Sequence, residues 1–180
     1  GLDQATTELL GLSAFTSHVL IAIVDAMSDC FTGKFEKPET LKNRYVDISD
    51  EQQVNFCRTI ATNWQLTSAI PTFHGLKIAL RSRLSDIAKF ANLSASLNLQ
   101  QLNARLIDND FLYLDFLQCA LYAVEAFNEL AKEPDRRWAL LFDELEIAPQ
   151  PIRQILLSAL RSTDQRLLFK LSISPYAEDA

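Results

Sequence analysis

The sequence predicts an α/β domain that is predominantly helical and carries a small parallel sheet near its C-terminal end. Three observations predict this class. Apolar residues recur at three- and four-residue steps through most of residues 1–131, which is the spacing of helices with one buried face. Residues 137–175 instead contain two short apolar runs separated by a helical pattern, which indicates strand, helix and strand. Only four of the 180 residues are glycine, against an average usage of about 7%, so an array of glycine-turn hairpins is excluded.

The N-terminal helical stripe extends from Leu9 to about Cys30. Gly11 lies near its start, and Ser13 could cap a second helix after that glycine, so the pattern leaves one helix or two open. Gly33 and Pro38 interrupt the periodicity in residues 32–40, which predicts a loop.

A short strand and a second helix are expected next. Residues 45–48 alternate apolar and polar side chains, as a brief strand does. Ser49 and Gln52 have the spacing of a capping box, in which each side chain accepts a hydrogen bond from the other residue's backbone N–H. A helical stripe then continues to Trp64.

Two further helices complete the helical part. Apolar residues favour a helix over residues 72–91, and the polar stretch 92–101 is expected to connect it to the next one. A further long stripe begins near Asp110, with Asp108 or Asn109 as its cap, and extends to about residue 131.

The C-terminal part, residues 137–175, reads as one βαβ unit. The run at 137–142 is short, apolar and rich in large side chains, which favours a strand buried on both faces. Pro149 and Pro151 suit the start of a helix that continues to Arg161, and residues 166–172 form a second strand. A strand–helix–strand unit of this length implies parallel pairing with a right-handed crossover.

Two carboxylates, Asp143 and Glu144, follow the first of these strands directly. The carboxyl edge of a parallel sheet is where open α/β sheets bind ligands, because the strands hold the following side chains rigidly there. The residue types and their place in the unit therefore make this edge the candidate site.

The segment from Trp138 to Glu144 resembles the Walker B element of P-loop NTPases, a hydrophobic strand that ends in Asp-Glu. Residues 140–175 are most similar to AAA+ and STAND-type ATPases, including origin-recognition-like bacterial ATPases. The resemblance covers about the last 45 residues and the preceding helix. It implies that Asp143 holds Mg²⁺ through water, that Glu144 polarises the attacking water, and that Ser172 or Ser174 contacts the γ-phosphate of ATP.

The sequence departs from that family pattern in lacking a Walker A motif. No GxxxxGK[ST] segment occurs in the chain, and Gly33-Lys34 is followed by phenylalanine. We therefore expect a fragment of an ATPase that depends on an upstream Walker A, and we expect this chain alone to be inactive. The alternative function is a non-enzymatic helical module for protein interaction that binds no nucleotide.

The net charge and the cysteines limit which partners and which cellular compartment are expected. The net charge of −6 argues against bulk electrostatic binding of nucleic acid, although Lys77, Arg81 and Arg83 leave a local basic patch open. Cys30, Cys57 and Cys119 form no CxxC motif, so we expect buried reduced thiols and a cytoplasmic protein.

No membrane segment is expected, because the longest aliphatic run, residues 19–24, is far shorter than the roughly 20 residues that span a bilayer. The first residues lack the basic region of a signal peptide. The partners that remain are ATP, a second copy of the chain or another protein.

Overall fold

The computed structural model describes residues 3–32, 46, 48–67, 69–94, 97–143, 145–161 and 166–172, with the side chains of residues 99 and 103 excepted. Within these ranges the chain is mainly helical and ends in two paired strands, so the predicted fold class is confirmed. The helices are α1 (Gln4–Thr32), α2 (Asp50–Asn63), α3 (Phe73–Ser94), α4 (Leu99–Ile107), α5 (Phe116–Leu130) and α6 (Gln150–Ala159), and the strands are β1 (Trp138–Phe142) and β2 (Leu167–Leu171).

Helix α1 is one continuous helix, not two. Asp3 caps it by accepting a hydrogen bond from the backbone N–H of Thr6 at 2.7 Å. Ser13, the candidate cap for a second helix, lies inside α1 with its buried Oγ atom unbonded to any described residue. The helix packs against α3, α5 and α6. Its buried apolar face includes Leu20, Ile23, Val24 and Met27.

By length and composition alone, α1 also meets the criterion for a membrane span, with a mean hydropathy of 1.7 in its most apolar window. The prediction from residues 19–24 missed this, because small and weakly polar residues interrupt the aliphatic run while lowering the average little. A core helix meets the same criterion, and the buried face of α1 lies in the main hydrophobic core.

Helix α2 begins as predicted, and the strand expected before it is absent where it can be assessed. The backbone N–H of Gln52 donates to Ser49 Oγ at 3.2 Å, and the N–H of Ser49 donates to Gln52 Oε1 at 2.9 Å, which completes the capping box. Val46 and Ile48 are not in a strand, and Val46 instead donates its N–H to the carbonyl of Cys30 at 3.3 Å. Residues 45 and 47 lie outside the described ranges.

The segment between α3 and α5 differs from the prediction. Helix α4 occupies part of the stretch expected to be a connector, and it starts with a second capping box between Asn98 and Gln101. The helix expected to begin near Asp110 is a 3₁₀ turn over Asp110–Tyr113, followed by α5 with Asp115 as its cap. The prediction missed α4, although Asn98 and Gln101 repeat the spacing of Ser49 and Gln52.

Strands β1 and β2 pair in parallel, which confirms the predicted βαβ unit. The register places Trp138 opposite Leu167 and Phe142 opposite Leu171. Only one face of the sheet is covered, however, because Leu141 is 68% exposed and Leu168 is 47% exposed. The prediction of a strand buried on both faces is therefore wrong, since the described helices cover a single face of the pleat.

Aromatic side chains cover the inner face of the sheet. Phe142 of β1 and Phe169 of β2 stack with ring centres 6.5 Å apart. Phe116 of α5 meets both rings edge-on, at 6.4 and 6.0 Å. Phe15 of α1 lies 5.8 Å from Phe142. The inner face of the sheet is thus part of the same core as the helices.

The three cysteines are buried and form no disulfide, as predicted. Burial raises the pKa of the Cys57 thiol to about 12 and, as the largest cause, that of Cys119 to about 11. Both thiols are therefore protonated at neutral pH and act as small core residues.

Gly75 allows the start of α3 to approach the preceding chain closely. Thr72 caps the helix, with its Oγ1 accepting a hydrogen bond from the N–H of Gly75 at 2.9 Å. A Cβ atom at Gly75 would lie 2.1 Å from the carbonyl oxygen of Ile70, a backbone atom that cannot rotate away. Gly11 in α1 has open space at the corresponding position.

We expect Gly75→Ala to destabilise the protein by about 1–3 kcal/mol or more, as overpacking does. Gly11→Ala is the matched control, and it should stabilise by about 0.5–1 kcal/mol because alanine is the better helix former. Urea unfolding of both variants measures the difference. Equal stability changes would contradict the close approach at Gly75.

Candidate functional site at the carboxyl edge of the sheet

The parallel pairing brings the residues that follow β1 and β2 to one edge of the sheet. Asp143 follows β1 and Ser172 follows β2, and both are exposed. The N–H of Ser172 donates to the carbonyl of Phe142 at 2.9 Å, and the carbonyl of Ser172 accepts from the N–H of Leu145 at 3.1 Å. The backbone on both sides of Asp143 is therefore hydrogen-bonded to Ser172. Glu144 and Ser174, the other predicted site residues, lie outside the described residues.

The chain after Asp143 is fixed by a buried anchor. Leu145 is 3% exposed and belongs to the main core. It begins a short 3₁₀ turn, and its carbonyl accepts a hydrogen bond from the N–H of Ala148 at 3.1 Å. Phe142 on one side and Leu145 on the other pack against the core, so the chain is anchored on both sides of the exposed Asp143.

A buried asparagine fixes the opposite, amino end of β1. Asn128 of α5 is 2% exposed. Its Nδ2 donates to the carbonyl of Arg136 at 2.7 Å, and its Oδ1 accepts from Trp138 Nε1 at 2.9 Å. We call these two hydrogen bonds the Asn128 latch. The latch sets where β1 begins, and the strand then determines where Asp143 lies.

Arg136 has a structural role beside this latch. Its guanidinium lies 5.5 Å from the ring centre of Phe127 and 5.4 Å from that of Trp138, and it pairs with Glu133 at 3.1 Å. Arg136 therefore packs against two aromatic rings, while the neighbouring Arg137 is exposed.

The donor types at the edge suit a magnesium–nucleotide complex, although they do not form a metal cage. A carboxylate and a hydroxyl are hard oxygen donors, and Mg²⁺ keeps several waters and takes one or two protein carboxylates together with substrate phosphates. Within the described ranges no group of three or more histidine, cysteine or acidic side chains could hold a metal ion. An exposed carboxylate such as that of Asp143 is the type of group that could hold a hydrated Mg²⁺.

The basic patch that the sequence left open on α3 does not form. Lys77 donates to the carboxylate of Asp25 on α1. Arg83 is only 6% exposed, and Arg81 remains on the surface. One exposed arginine gives no basic stripe of the kind that tracks a nucleic-acid backbone.

Two features of the site were missed from the sequence. The Asn128 latch could have been suspected, because Asn128 follows Val124 by one helical turn on the apolar stripe of α5. The hydrogen bond from Leu145 to Ser172 has no local signal, since it joins residues far apart in the sequence and depends on strand pairing.

The sequence model of the ORC-CDC6-like family matches residues 2–180, which includes both the helical part and the carboxyl edge. The chain belongs to the ORC-CDC6-like family. This membership relates it to AAA+-type ATPases, a nucleotide-binding class, and extends over almost the whole chain the likeness seen in its last 45 residues. No curated protein and no solved structure gave a significant match.

We expect Asn128→Leu to destabilise the protein by about 2 kcal/mol or more, because Trp138 Nε1 and the Arg136 carbonyl lose their partner while the side-chain volume is kept. Asn92→Leu on the exposed face of α3 is the control, and its effect should lie within about 0.5 kcal/mol. Urea unfolding followed by tryptophan fluorescence measures both. A loss below 0.5 kcal/mol for Asn128→Leu would contradict the latch.

Proposed function

We propose that this chain supplies the magnesium- and water-handling part of an AAA+-type ATPase site at the carboxyl edge of its sheet. One observation supports the proposal above all. Asp143 and Ser172 follow neighbouring parallel strands, and the backbone of Ser172 is hydrogen-bonded on both sides of Asp143. This is the edge at which open α/β sheets bind ligands.

The residues would divide the work as follows. Asp143 would accept hydrogen bonds from the water shell of the metal ion, and Glu144 would accept the proton of the attacking water. Ser172 or Ser174 would donate a hydrogen bond to the γ-phosphate. When bound with the nucleotide, Mg²⁺ supplies neutralisation of the charge that develops on the phosphates.

The phosphates require donors that these 180 residues do not offer in the usual form. A glycine-rich loop exposes several backbone N–H groups to phosphate oxygens, and no segment of this chain has that pattern. We propose that such a loop is contributed by sequence outside these residues or by a neighbouring subunit. The active form would then be the complete protein or its assembly, and this chain alone would not hydrolyse ATP.

The test is ATP binding and turnover by the complete protein that contains this chain. ATP with Mg²⁺ at 100 times its dissociation constant should stabilise the protein by about 2.7 kcal/mol. Asp143→Asn should remove the dependence of this stabilisation on Mg²⁺, because the amide no longer carries the charge that holds the hydrated ion. Glu144→Gln should preserve ATP binding and lower turnover at least 100-fold, since general-base catalysis contributes about 10²–10⁴-fold.

Asp135→Asn is the matched control, because Asp135 is an exposed aspartate in the turn before β1, at the amino end of the sheet. It should change neither binding nor turnover. If no nucleotide stabilises the complete protein, the chain is the alternative, a helical interaction module. Turnover that survives Glu144→Gln would remove Glu144 from the proposed site.

A further inference from the structure

One cleft in the protein shares no lining residue with the candidate site at the carboxyl edge of the sheet. It is formed by α3, by the segment that follows α2, and by Phe111, and its volume is about 390 Å³. Sites for small molecules commonly measure about 300–1,000 Å³. Apolar side chains contribute much of the lining, and Arg83 is among the polar ones. The apolar lining includes Leu66, Ile70, Ile78 and Phe111.

Arg83 occupies a position on the buried stripe of α3 that would ordinarily be apolar. It follows Leu80 by three residues and precedes Ile87 by four, and all three side chains are buried. Burial, as the largest cause, lowers the pKa of Arg83 to about 10, so the guanidinium remains charged at neutral pH. Burying a charged group costs free energy unless the group is paired and hydrogen-bonded. The contacts of the Arg83 guanidinium therefore show how much of that cost the protein itself offsets.

The contacts of Arg83 within the protein use one of its three guanidinium nitrogens. Nη2 donates to the carbonyls of Trp64 and Gln65, the two residues that directly follow α2. Gln65 has a positive φ of 55°. The guanidinium carbon also lies 4.9 Å from the ring centre of Phe111. These contacts explain a structural role for Nη2 as a cap on helix carbonyls.

The other two guanidinium nitrogens of Arg83 have no hydrogen-bond partner among the described residues. Across the described ranges, Nε and Nη1 make no hydrogen bond, and no carboxylate forms an ion pair with the group. In the same ranges, Ser13 Oγ is the only completely buried side-chain nitrogen or oxygen atom that lacks a hydrogen-bond partner. Nε and Nη1 of Arg83 are therefore not completely sealed from solvent, although the residue as a whole is only 6% exposed, and Arg83 lines the cleft.

The one acidic residue in the cleft wall does not neutralise Arg83. Asp86 lies one helical turn further along α3 and pairs with Lys89 at 3.1 Å on the surface. Lys89 and Arg105 line an adjoining smaller cleft that shares Asp86 and Phe111. The local balance is therefore positive, although the chain as a whole carries −6.

We propose that this cleft binds a small organic monocarboxylate with an apolar body. The carboxylate accepts charge-assisted hydrogen bonds from the free N–H groups of Arg83, which are stronger than neutral ones. The apolar body packs against Leu66, Ile70 and Ile78. Inorganic phosphate would pair the guanidinium but leave the apolar wall uncovered, and a neutral ligand would leave the charge unpaired.

The first experiment compares three probes by calorimetric titration of the full-length protein. Sodium octanoate should bind at least tenfold more tightly than octanamide, which has the same chain without the charge, and at least tenfold more tightly than sodium phosphate. Equal affinity for octanoate and octanamide would overturn the role of Arg83. Phosphate binding as tight as octanoate binding would overturn the assignment of a ligand with an apolar body.

The second experiment places a competing carboxylate at the cleft without altering Arg83. Ser82 lines the cleft and is exposed, so Ser82→Glu should weaken octanoate binding at least tenfold. Ser85→Glu introduces the same charge at an exposed position of α3 that does not line the cleft, and affinity should stay within twofold. Unfolding midpoints confirm that both variants fold. Equal effects of the two substitutions, or none from Ser82→Glu, would overturn the site.

Discussion

The two-stranded sheet depends on burial of its inner face against aromatic side chains from the helices. Two strands of five residues are only marginally stable by themselves. Phe142 and Phe169 pack against Phe116 of α5 and, at Phe142, against Phe15 of α1. Aromatic pairs of this kind each contribute about 0.5–1.5 kcal/mol beyond their buried area. The helices therefore stabilise the sheet, and the carboxyl edge of the sheet depends on this packing.

The ends of β1 have separate tasks. At the amino end, hydrogen bonds inside the core tie the strand to α5, and an ion pair of 2.6 Å between Arg166 and Glu125 ties α5 to the start of β2. At the carboxyl end, the side chain of Asp143 is exposed while the residues beside it are anchored. A rigid element that ends in an exposed polar group positions that group more precisely than a loop would.

The sequence predicted those features that are set by neighbouring residues. The capping box at Ser49 is a contact over three residues, and the βαβ unit follows from the length and polarity of consecutive segments. The exposure of Leu141 could not be predicted, because an apolar run looks the same whether one face or both are covered. It depends on where helices distant in sequence pack.

The candidate site shows the same distinction between features set by neighbouring residues and features set by distant ones. Asp143 was predicted because it directly follows an apolar run, and Ser172 because of the resemblance to AAA+ ATPases, whereas their shared backbone contacts need the observed register. Arg83 is the instructive error. Its spacing from Leu80 and Ile87 places it on the buried stripe, but its charge suggested the solvent face. A charged residue that fits an apolar stripe is better interpreted by its position than by its type.

The alternation of side chains in β1 makes the length of this strand a constraint on the edge. Trp138, Leu140 and Phe142 face the core, and Ala139 and Leu141 face outwards. Deleting one residue would turn part of the aromatic face outwards or pull the following carboxylate toward the core, because the side-chain period is two. Insertions and deletions in the ORC-CDC6-like family should therefore avoid β1, while substitutions at the exposed Ala139 and Leu141 should be tolerated. In this strand, the spacing of the side chains constrains the edge more than the composition of the outer face does.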